Sequence, residues 1–262
     1  MTRSRLRPIY PVHSVERTIR ILDALRDAVD PVGVTELALA LGQTASAVHR
    51  HLSTLQYHGL VEQDPLTQRY TLGTRLIDYG TRVMGRLGLG ERTRPHLERL
   101  AAEVNETVNL CLLRGQEALF VDKIESQEFL RLVTHMGTRV PLYCSGVGKA
   151  MLAFLAPEEQ SAVMGAGPLN RYTPSTITDP TCLRQELGRI RAQGYAVDAE
   201  EYLPGVVCVA APILDRHGRA MAAVSVSGPV SRLTPERVLE VAPRVRAAAE
   251  GITRSIAAGG VN

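Results

Sequence analysis

Short polar side chains gather on one side of a helix that is predicted within the segment LGQTASAVHRHLSTLQYHGLV, residues 41–61. At 3.6 residues per turn, one face of this helix is apolar and consists of Ala45, Val48, Leu52 and Leu55. The opposite face carries Ser46, His49, Arg50 and Ser53 and contains no carboxylate. A solvated helix face usually includes Glu or Asp, so this composition indicates a negatively charged partner, and hydrogen bonding to DNA suits these residue types.

The expected role of each side chain follows from its length and charge. Arg50 and Arg69 are expected to clamp phosphates, because a guanidinium pairs with phosphate through two hydrogen bonds. Ser46 and His49 are shorter and suit the edges of bases. Thr44 can cap the helix and meet a phosphate beside the backbone N–H groups. The remaining candidate DNA contacts are Ala47, Ser53 and Gln68, and any one of the set could be an ordinary surface residue.

A second polar group is predicted in the second half of the chain. In the strand expected at 221–227, Ser225 and Ser227 share one face because side chains alternate along a strand. Buried hydroxyls without partners are costly, so this pair can line a wet cavity for a small molecule, or else be satisfied within the sheet. Cys208 can face the same cavity or pack in the core. Asp198 can accept a hydrogen bond from a ligand hydroxyl.

The turn Ser145–Gly146–Val147–Gly148 precedes a predicted helix and offers N–H groups to a carboxylate. The candidate residues for binding a small molecule are therefore Ser145, Gly146, Val147, Asp198, Cys208, Ser225 and Ser227. No cationic partner or catalytic base is evident among these motifs. The expected ligand is a small carboxylate held mainly by neutral donors.

The elements around the first group predict a winged helix-turn-helix domain over 13–73. Helices are expected from Ser14 to about Ala28, with Val15, Ile19, Leu22 and Leu25 inward, and from Thr35 to Leu41. The third helix ends at Gly59, and LVEQDPLTQRYTL then predicts two short strands joined at Asp64–Pro65. A small helical protein-interaction domain is the alternative. Residues 1–12, with Arg3, Arg5 and Arg7, are expected to be a flexible basic arm or a solvated tail.

Two further regions complete the chain. Residues 74–90 predict a linker helix whose apolar arc is wide enough to pack against a partner chain as well. Residues 91–262 predict an α+β domain with a hairpin at Gly115, a strand FLRLVTH, a helix at 180–193, a second hairpin at His217–Gly218 and a last helix from Thr234. A helix is also expected at about 95–106, and another opens at Ser145 or Gly146.

Composition limits the class of protein. The 262 residues, 45% hydrophobic and 22% charged, suit about two globular domains. The net charge of +3 lies in residues 1–90, which hold eleven arginines, no lysine and eight acidic residues. No stretch of about 18 apolar residues could span a membrane, and a signal peptide is not evident, so we expect a cytoplasmic protein.

Enzyme and metal motifs do not match. The four cysteines form no C-x-x-C pair, which argues against a zinc ribbon or a disulfide framework. A phosphate loop ending in GVGK would need Gly at Tyr143 and Ser or Thr at Ala150. We therefore expect no catalytic residues, no metal and no cofactor. Two alternatives stay open, namely a small-molecule-binding module that does not bind DNA and a hydrolase of unknown type.

Three stretches resemble the isocitrate-lyase-regulator (IclR) family of bacterial transcription factors. They are the 14–73 segment, PLYCSGVGKAMLAFL (141–155) and GYAVDAEEYLPGVVCVAAPILDRHGRAMAAVSVSGPVSRL (194–233). The resemblance implies a winged-helix domain, a connector helix and a GAF-like effector-binding domain, with the positions matching Gly146, Val147, Asp198, Cys208, Ser225 and Ser227 lining the effector pocket.

The resemblance also implies partners. Dimers would form through the N-terminal domains and often pair into tetramers. The wide apolar arc of the linker helix independently predicts a dimer, whose two-fold symmetry requires a pseudo-palindromic operator. The effector would be a small organic acid. In relatives the third helix often opens with K-S-T, whereas this chain has Ala45–Ser46–Ala47, so an operator sequence cannot be transferred.

Overall fold

The computed structural model describes residues 10–86, 88–132, 134–165 and 169–258. Within this part, the chain forms two compact units that divide between residues 86 and 88. The first unit is mainly helical and the second is a mixed helix and sheet domain, as the α+β class predicts. No helix in the described ranges is long and apolar enough to cross a bilayer.

The N-terminal unit has the predicted element order. Its elements are α1 (His13–Asp27), α2 (Val34–Leu41), α3 (Ala45–Tyr57), β1 (Val61–Gln63), β2 (Tyr70–Leu72) and α4 (Arg75–Arg86). Strands β1 and β2 pair antiparallel as a wing. Most of the predicted basic arm lies at residues 1–9, outside the described residues.

The inward face predicted for α1 is confirmed at Leu25 and at Leu22, which is partly buried against the core, and it is wrong at Val15 and Ile19. Ile21 and Leu25 fill the core, where they pack with residues of α2, α3 and the wing, whereas Val15 and Ile19 are 53% and 51% exposed. The core of this small unit is already filled by the second half of α1. Helical periodicity therefore detected a second apolar stripe, at Val15 and Ile19, that the described residues of this unit leave exposed. Each of the two helices begins one residue before its predicted start, since α1 starts at His13 and α2 at Val34.

The C-terminal unit is built on one six-stranded sheet. Its elements are α5 (Arg94–Val104), β3 (Thr107–Arg114), β4 (Glu117–Ile124), β5 (Arg139–Pro141), α6 (Gly146–Leu152), α7 (Pro157–Met164), α8 (Pro180–Gln193), β6 (Ala196–Ala199), β7 (Val206–Leu214), β8 (Ala220–Pro229) and α9 (Pro235–Ala258). The strand order is β5-β4-β3-β8-β7-β6, with every neighbouring pair antiparallel.

Each face of the sheet is covered by helices. On one face, α6 packs against β7 and β8 and α8 packs against α6, and the core on this side includes small side chains such as Cys111, Ala210 and Ala223. Helices α5 and α9 pack against β3, β7 and β8, whose other face carries Val224 and Val226. The small residues allow α6 to approach the sheet closely, and the polar residues discussed below lie on that face.

The strand predicted for FLRLVTH is not formed by its described residues, 129–132, 134 and 135. Phe129 is fully exposed there. Side chains rather than a neighbouring strand bind the carbonyls of this segment, since Arg232 donates to Leu130 O at 2.7 Å and Thr107 donates to Leu132 O at 3.1 Å. The sequence prediction did not include the short elements β5, α7 and β6.

Candidate functional site

Helix α3 separates its apolar and polar residues as predicted at most positions. Val48, Leu52 and Leu55 are buried, whereas Ala45, assigned to the same stripe, is exposed at the first turn. The exposed residues of the opposite face are Ser46, His49, Arg50 and Ser53. Thr44 caps the helix, because its Oγ1 accepts a hydrogen bond from Ala47 N at 3.2 Å. Ala47 is half-buried beside this cap.

Two hydroxyls on α3 bond within the helix, while its arginine is unpaired. Ser53 donates to His49 O at 2.9 Å, and Thr54 donates to Arg50 O at 3.0 Å. Across the described ranges, Arg50 has no ion pair with a carboxylate, so its guanidinium is available to an external anion.

The wing is held together by side chains at its turn. Asp64 Oδ1 accepts hydrogen bonds from Leu66 N and Thr67 N, both at 2.8 Å. Gln68 takes a positive φ of 58° and donates from its amide to Pro65 O at 2.9 Å. The turn therefore has a defined shape before any partner binds.

Arg69 is engaged within the N-terminal unit. Its Nη2 donates to both carboxylate oxygens of Glu36, at 2.7 and 3.0 Å, and its Nε donates to Pro31 O at 2.7 Å. These bonds tie the wing to α2. The side chain that was expected to bind phosphate thus holds the wing against the helical part of the unit.

The sheet of the C-terminal unit brings most of the second predicted group together. Asp198 lies opposite Cys208, and Cys208 lies opposite Ser227, so the three side chains form a row on one face. Ser225 lies opposite Asn109 on β3 and Ala210 on β7, which makes a parallel row two residues away. All of these residues except Ala210 carry a polar atom into the interior.

The start of α6 lies against this face of the sheet. A Cβ atom on Gly146 would come within 2.7 Å of Cys208 Sγ, so only glycine allows this approach. Ser145 caps α6 by accepting from Gly148 N at 3.1 Å and donates to Pro141 O at 2.6 Å, which uses its hydroxyl in the fold. Val147 is buried on the same helix.

The two serine hydroxyls differ in their bonding. Ser227 Oγ accepts a long hydrogen bond of 3.4 Å from Asn109 Nδ2, and Thr134 donates to Asn109 Oδ1 at 2.7 Å. Ser225 Oγ is buried and has no nitrogen or oxygen hydrogen-bond partner in the part of the chain that the structure describes, and the Cys208 thiol beside it is only a weak one. A buried hydroxyl in this state is costly, and it retains the capacity to form a further hydrogen bond.

Cys208 is a poor nucleophile in this setting. Burial and the negative charge of Asp198 raise the pKa of its thiol to about 11, although both serine hydroxyls partly offset the rise. Its thiol is therefore neutral near pH 7 and acts as a packing surface and weak donor.

A buried ion pair adjoins the same row and was not predicted from the sequence. Lys149 on α6 is fully buried, and its Nζ donates to Glu201 Oε1 and, at 2.7 Å, to Val197 O. Glu201 N in turn donates to Asp198 Oδ1 at 2.7 Å. A lysine within an otherwise apolar helix, GVGKAML, was the available signal, because such a charge requires a buried partner.

Burial raises the pKa of both carboxyl groups near Lys149. The pKa of Glu201 rises to about 7 and that of Asp198 to about 6, with the charge of Lys149 and, for Asp198, backbone N–H groups partly offsetting the burial. The pair therefore keeps a proton to higher pH than ordinary carboxyl groups do. No group of His, Cys, Asp or Glu among the described residues is arranged to hold a metal ion.

Two family profiles match the sequence. Residues 14–65 match the IclR helix-turn-helix domain, and residues 81–254 match the family described as bacterial transcriptional regulator IclR C-terminal. The chain is also 40% identical over 245 residues to the HTH-type transcriptional regulator BhcR of Paracoccus denitrificans. That similarity covers 91% of this chain and 88% of the relative.

Solved structures show the same architecture. IclR of Thermotoga maritima matches with a TM-score of 0.77 at 33% identity, over 94% of this chain and 99% of that one. An IclR homologue from Microbacterium hydrocarbonoxydans, solved in complex with 4-hydroxybenzoate, matches with a TM-score of 0.81 at 25% identity. That match covers 94% of this chain and 99% of the homologue.

Proposed function

Because the chain belongs to the IclR family of bacterial transcriptional regulators, we propose that it binds an operator through α3 and releases or tightens it in response to a small carboxylate. The exposed face of α3, which has no acidic residue and an unpaired Arg50, is the observation that carries the DNA assignment. A module that binds only small molecules would not require such a face. The relatives are named as regulators, and we propose that the chain acts in the cytoplasm without catalysis.

The proposed contacts divide by role. Arg50 clamps a phosphate, and Ser46 and His49 read base edges in the major groove. Ala47, Thr44 and Ser53 shape the surface that meets the groove. Gln68 and Arg69 serve the wing, and the bonds of Arg69 to Glu36 and Pro31 support a positioning role for it rather than a phosphate clamp.

The first test concerns this face. We expect Arg50→Ala to weaken binding to all sequences and to reduce the slope of log affinity against log salt by about one per subunit, as one phosphate contact is lost. His49→Ala should instead relax specificity at one base position, by about 1–3 kcal/mol. Fluorescence anisotropy with operator and scrambled duplexes over a salt series measures both effects.

The matched control is Arg26→Ala, because Arg26 is an exposed arginine of the same unit that is already paired with Asp23 and Asp27. Arg26→Ala should leave the slope unchanged. If Arg50→Ala and His49→Ala both bind as wild type does, α3 does not lie in the groove.

We further propose that the functional unit is a homodimer, which can pair into a dimer of dimers. None of the residues of α4 is buried, and Ile77, Tyr79 and Val83 are exposed on it. The exposed stripe of Val15 and Ile19 on α1 belongs to the same unit. Apolar faces of this kind suit a second copy of the chain, and two-fold symmetry then requires a pseudo-palindromic operator.

For the effector, we propose a small carboxylate held by Ser225, Ser227 and the turn at 145–147, with Asp198 and Cys208 beside it. The unsatisfied hydroxyl of Ser225 is the observation that carries this site. The homologue with 4-hydroxybenzoate supports an organic acid as the ligand class. The effector would change operator affinity by about 1–3 kcal/mol, the usual range for coupling between two sites.

Removing both hydroxyls tests the pocket. In Ser225→Ala/Ser227→Ala we expect effector affinity to fall about tenfold or more, because two hydrogen bonds are lost, while operator binding without effector stays nearly unchanged. Calorimetry and gel-shift assays measure the two quantities. Ser161→Ala on the exposed side of α7 is the control. Unchanged effector affinity in the double variant would contradict the pocket, and lost operator binding would show that the serines serve the fold.

A further inference from the structure

The acid cluster beside the proposed effector pocket contains more negative than positive charge. We define the cluster as Lys149, Asp198 and Glu201. Asp198 lies in the row that contains Cys208 and Ser227, and Glu201 N bonds to the Asp198 carboxylate. Lys149 bonds to Glu201 and to the carbonyl of Val197, the residue before Asp198. The cluster is thus joined directly to the ligand-facing row.

The groups that surround the cluster do not supply a second positive charge. Glu186 of α8 approaches Lys149 at 3.9 Å, but it is paired with Arg189 at 2.6 Å. Cys144 and Cys208 also face the carboxylates, and burial raises the pKa of these thiols to about 12 and about 11, so both are neutral. The backbone N–H of Tyr202 also faces Asp198, Tyr143 precedes Cys144 in the chain, and burial raises the pKa of both tyrosine hydroxyls.

Charge counting then favours a proton on the cluster. One ammonium faces two carboxylates, and Asp198, Glu201 and Lys149 are all more than nine-tenths buried. Glu201 Oε2 has no hydrogen-bond partner among the described residues. One carboxylate is therefore left without a counter-charge, which is costly in this environment, so the carboxyl pair titrates as one coupled system that readily holds a proton.

A carboxylate effector would add a third negative charge next to the same row. We propose that the Asp198–Glu201 pair takes up one proton from solvent when the effector carboxylate binds, so that ligand and proton enter the site together. This inference rests on the effector site proposed above. Lys149 and Glu201 then act as positioning and charge-balancing residues, and they need not touch the ligand.

The direction of the pH effect follows from this linkage. Below the pKa values of the pair, the proton is already present and effector binding does not depend on pH. As pH rises above these values, near 6 and 7, each binding event must draw a proton from solvent, so affinity falls by up to about tenfold per pH unit. A regulator of this kind responds more strongly to its acid in a more acidic cell.

Calorimetry on the full chain provides the test. 4-Hydroxybenzoate and acetate are titrated at pH 7 and pH 8 in buffers of different ionisation enthalpy, which gives the number of protons taken up. The amides 4-hydroxybenzamide and acetamide serve as uncharged controls. We expect uptake approaching one proton for the acids at pH 8, none for the amides, and a weakening of acid binding of about three- to tenfold between the two pH values.

The variant Glu201→Gln distinguishes a charge-balancing role of Glu201 from a role in the fold alone. With one carboxylate removed, the acid should bind more tightly at pH 8 than it binds to wild type, with proton uptake and pH dependence reduced. Weaker binding at both pH values would overturn the inference. If this variant fails to fold, carbon-13 NMR titration of the Asp198 and Glu201 carboxyl groups in the wild-type protein provides the test. One titration midpoint above about pH 6 supports the inference, and two midpoints below about pH 5 overturn it.

The outcomes separate this inference from the proposed function. Acid binding without proton uptake overturns the inference and leaves the effector site intact. If neither acid binds at any pH, the proposed carboxylate effector fails and the inference fails with it.

Discussion

Replacing Lys149 by methionine should lower the free energy of unfolding by about 3–5 kcal/mol, because it leaves buried carboxylates without their counter-charge. Lys149 is fully buried and donates to Glu201 and to Val197 O, and methionine conserves most of its volume. The loss is therefore electrostatic rather than a cavity effect. Urea unfolding of the full chain, followed by circular dichroism, measures it in the transition of the C-terminal unit.

Two comparison variants identify the cause. Lys149→Met/Glu201→Leu removes both partners and should recover much of the loss, since an apolar pair can replace a buried ion pair at little cost. Lys123→Met removes the lysine that pairs with Glu125, whose carboxylate is partly exposed, and it should cost no more than about 1 kcal/mol. A loss below about 1 kcal/mol in Lys149→Met would mean that the cluster is neutralised in another way.

Placing a carboxylate on each exposed apolar stripe of the N-terminal unit should give monomers and lower operator affinity by about 10²–10⁴-fold. In Ile19→Glu/Val83→Glu, dimer formation would bury two charges per subunit, which is unfavourable by several kcal/mol. Each monomer would then bind its operator half-site separately. The gain in effective concentration that comes from joining two DNA-binding domains in one dimer would be lost. Sedimentation velocity at micromolar concentration and gel shifts with full and half operators measure the two effects.

The control is Val29→Glu, at an apolar residue that is 99% exposed in the turn after α1 and outside both stripes. It should leave the assembly and the operator affinity unchanged. A double variant that remains a dimer would show that neither stripe forms the interface.

The sequence predicted helix boundaries best where a capping residue precedes a segment of helical apolar periodicity and a glycine follows it. Helix α3 begins after Thr44, and α8 runs from Pro180 to Gln193, with Gly194 in the left-handed conformation at its end. The turns at Gly115 and His217–Gly218 also lie where predicted. Periodicity failed at α1, because an uncovered stripe and a core stripe have the same pattern in the sequence.

The sequence predicted the position of a side chain in the candidate effector site only where residues close in the chain determine that position. Alternation along β8 places Ser225 and Ser227 on one face, and the hairpin partner Cys208 follows from the same rule. The bond between Lys149 and Glu201 joins residues 52 apart and depends on the register of β6, which was not predicted. Likewise, the bonds of Arg69 to Glu36 depend on how the wing packs against α2.

The buried position of Lys149 has a consequence for the covalent chemistry of the protein. Lysine occurs at two positions in the sequence, 123 and 149, and Lys149 is inaccessible. Acetyl transfer and amine-reactive labelling therefore have a single accessible lysine, Lys123 on β4, apart from the chain's own α-amine. The DNA-contact unit carries its positive side chains as arginine, which neither acylation nor physiological pH neutralises. The protein can thus be coupled through Lys123 to a surface or a fluorophore while the residues of α3 stay unmodified.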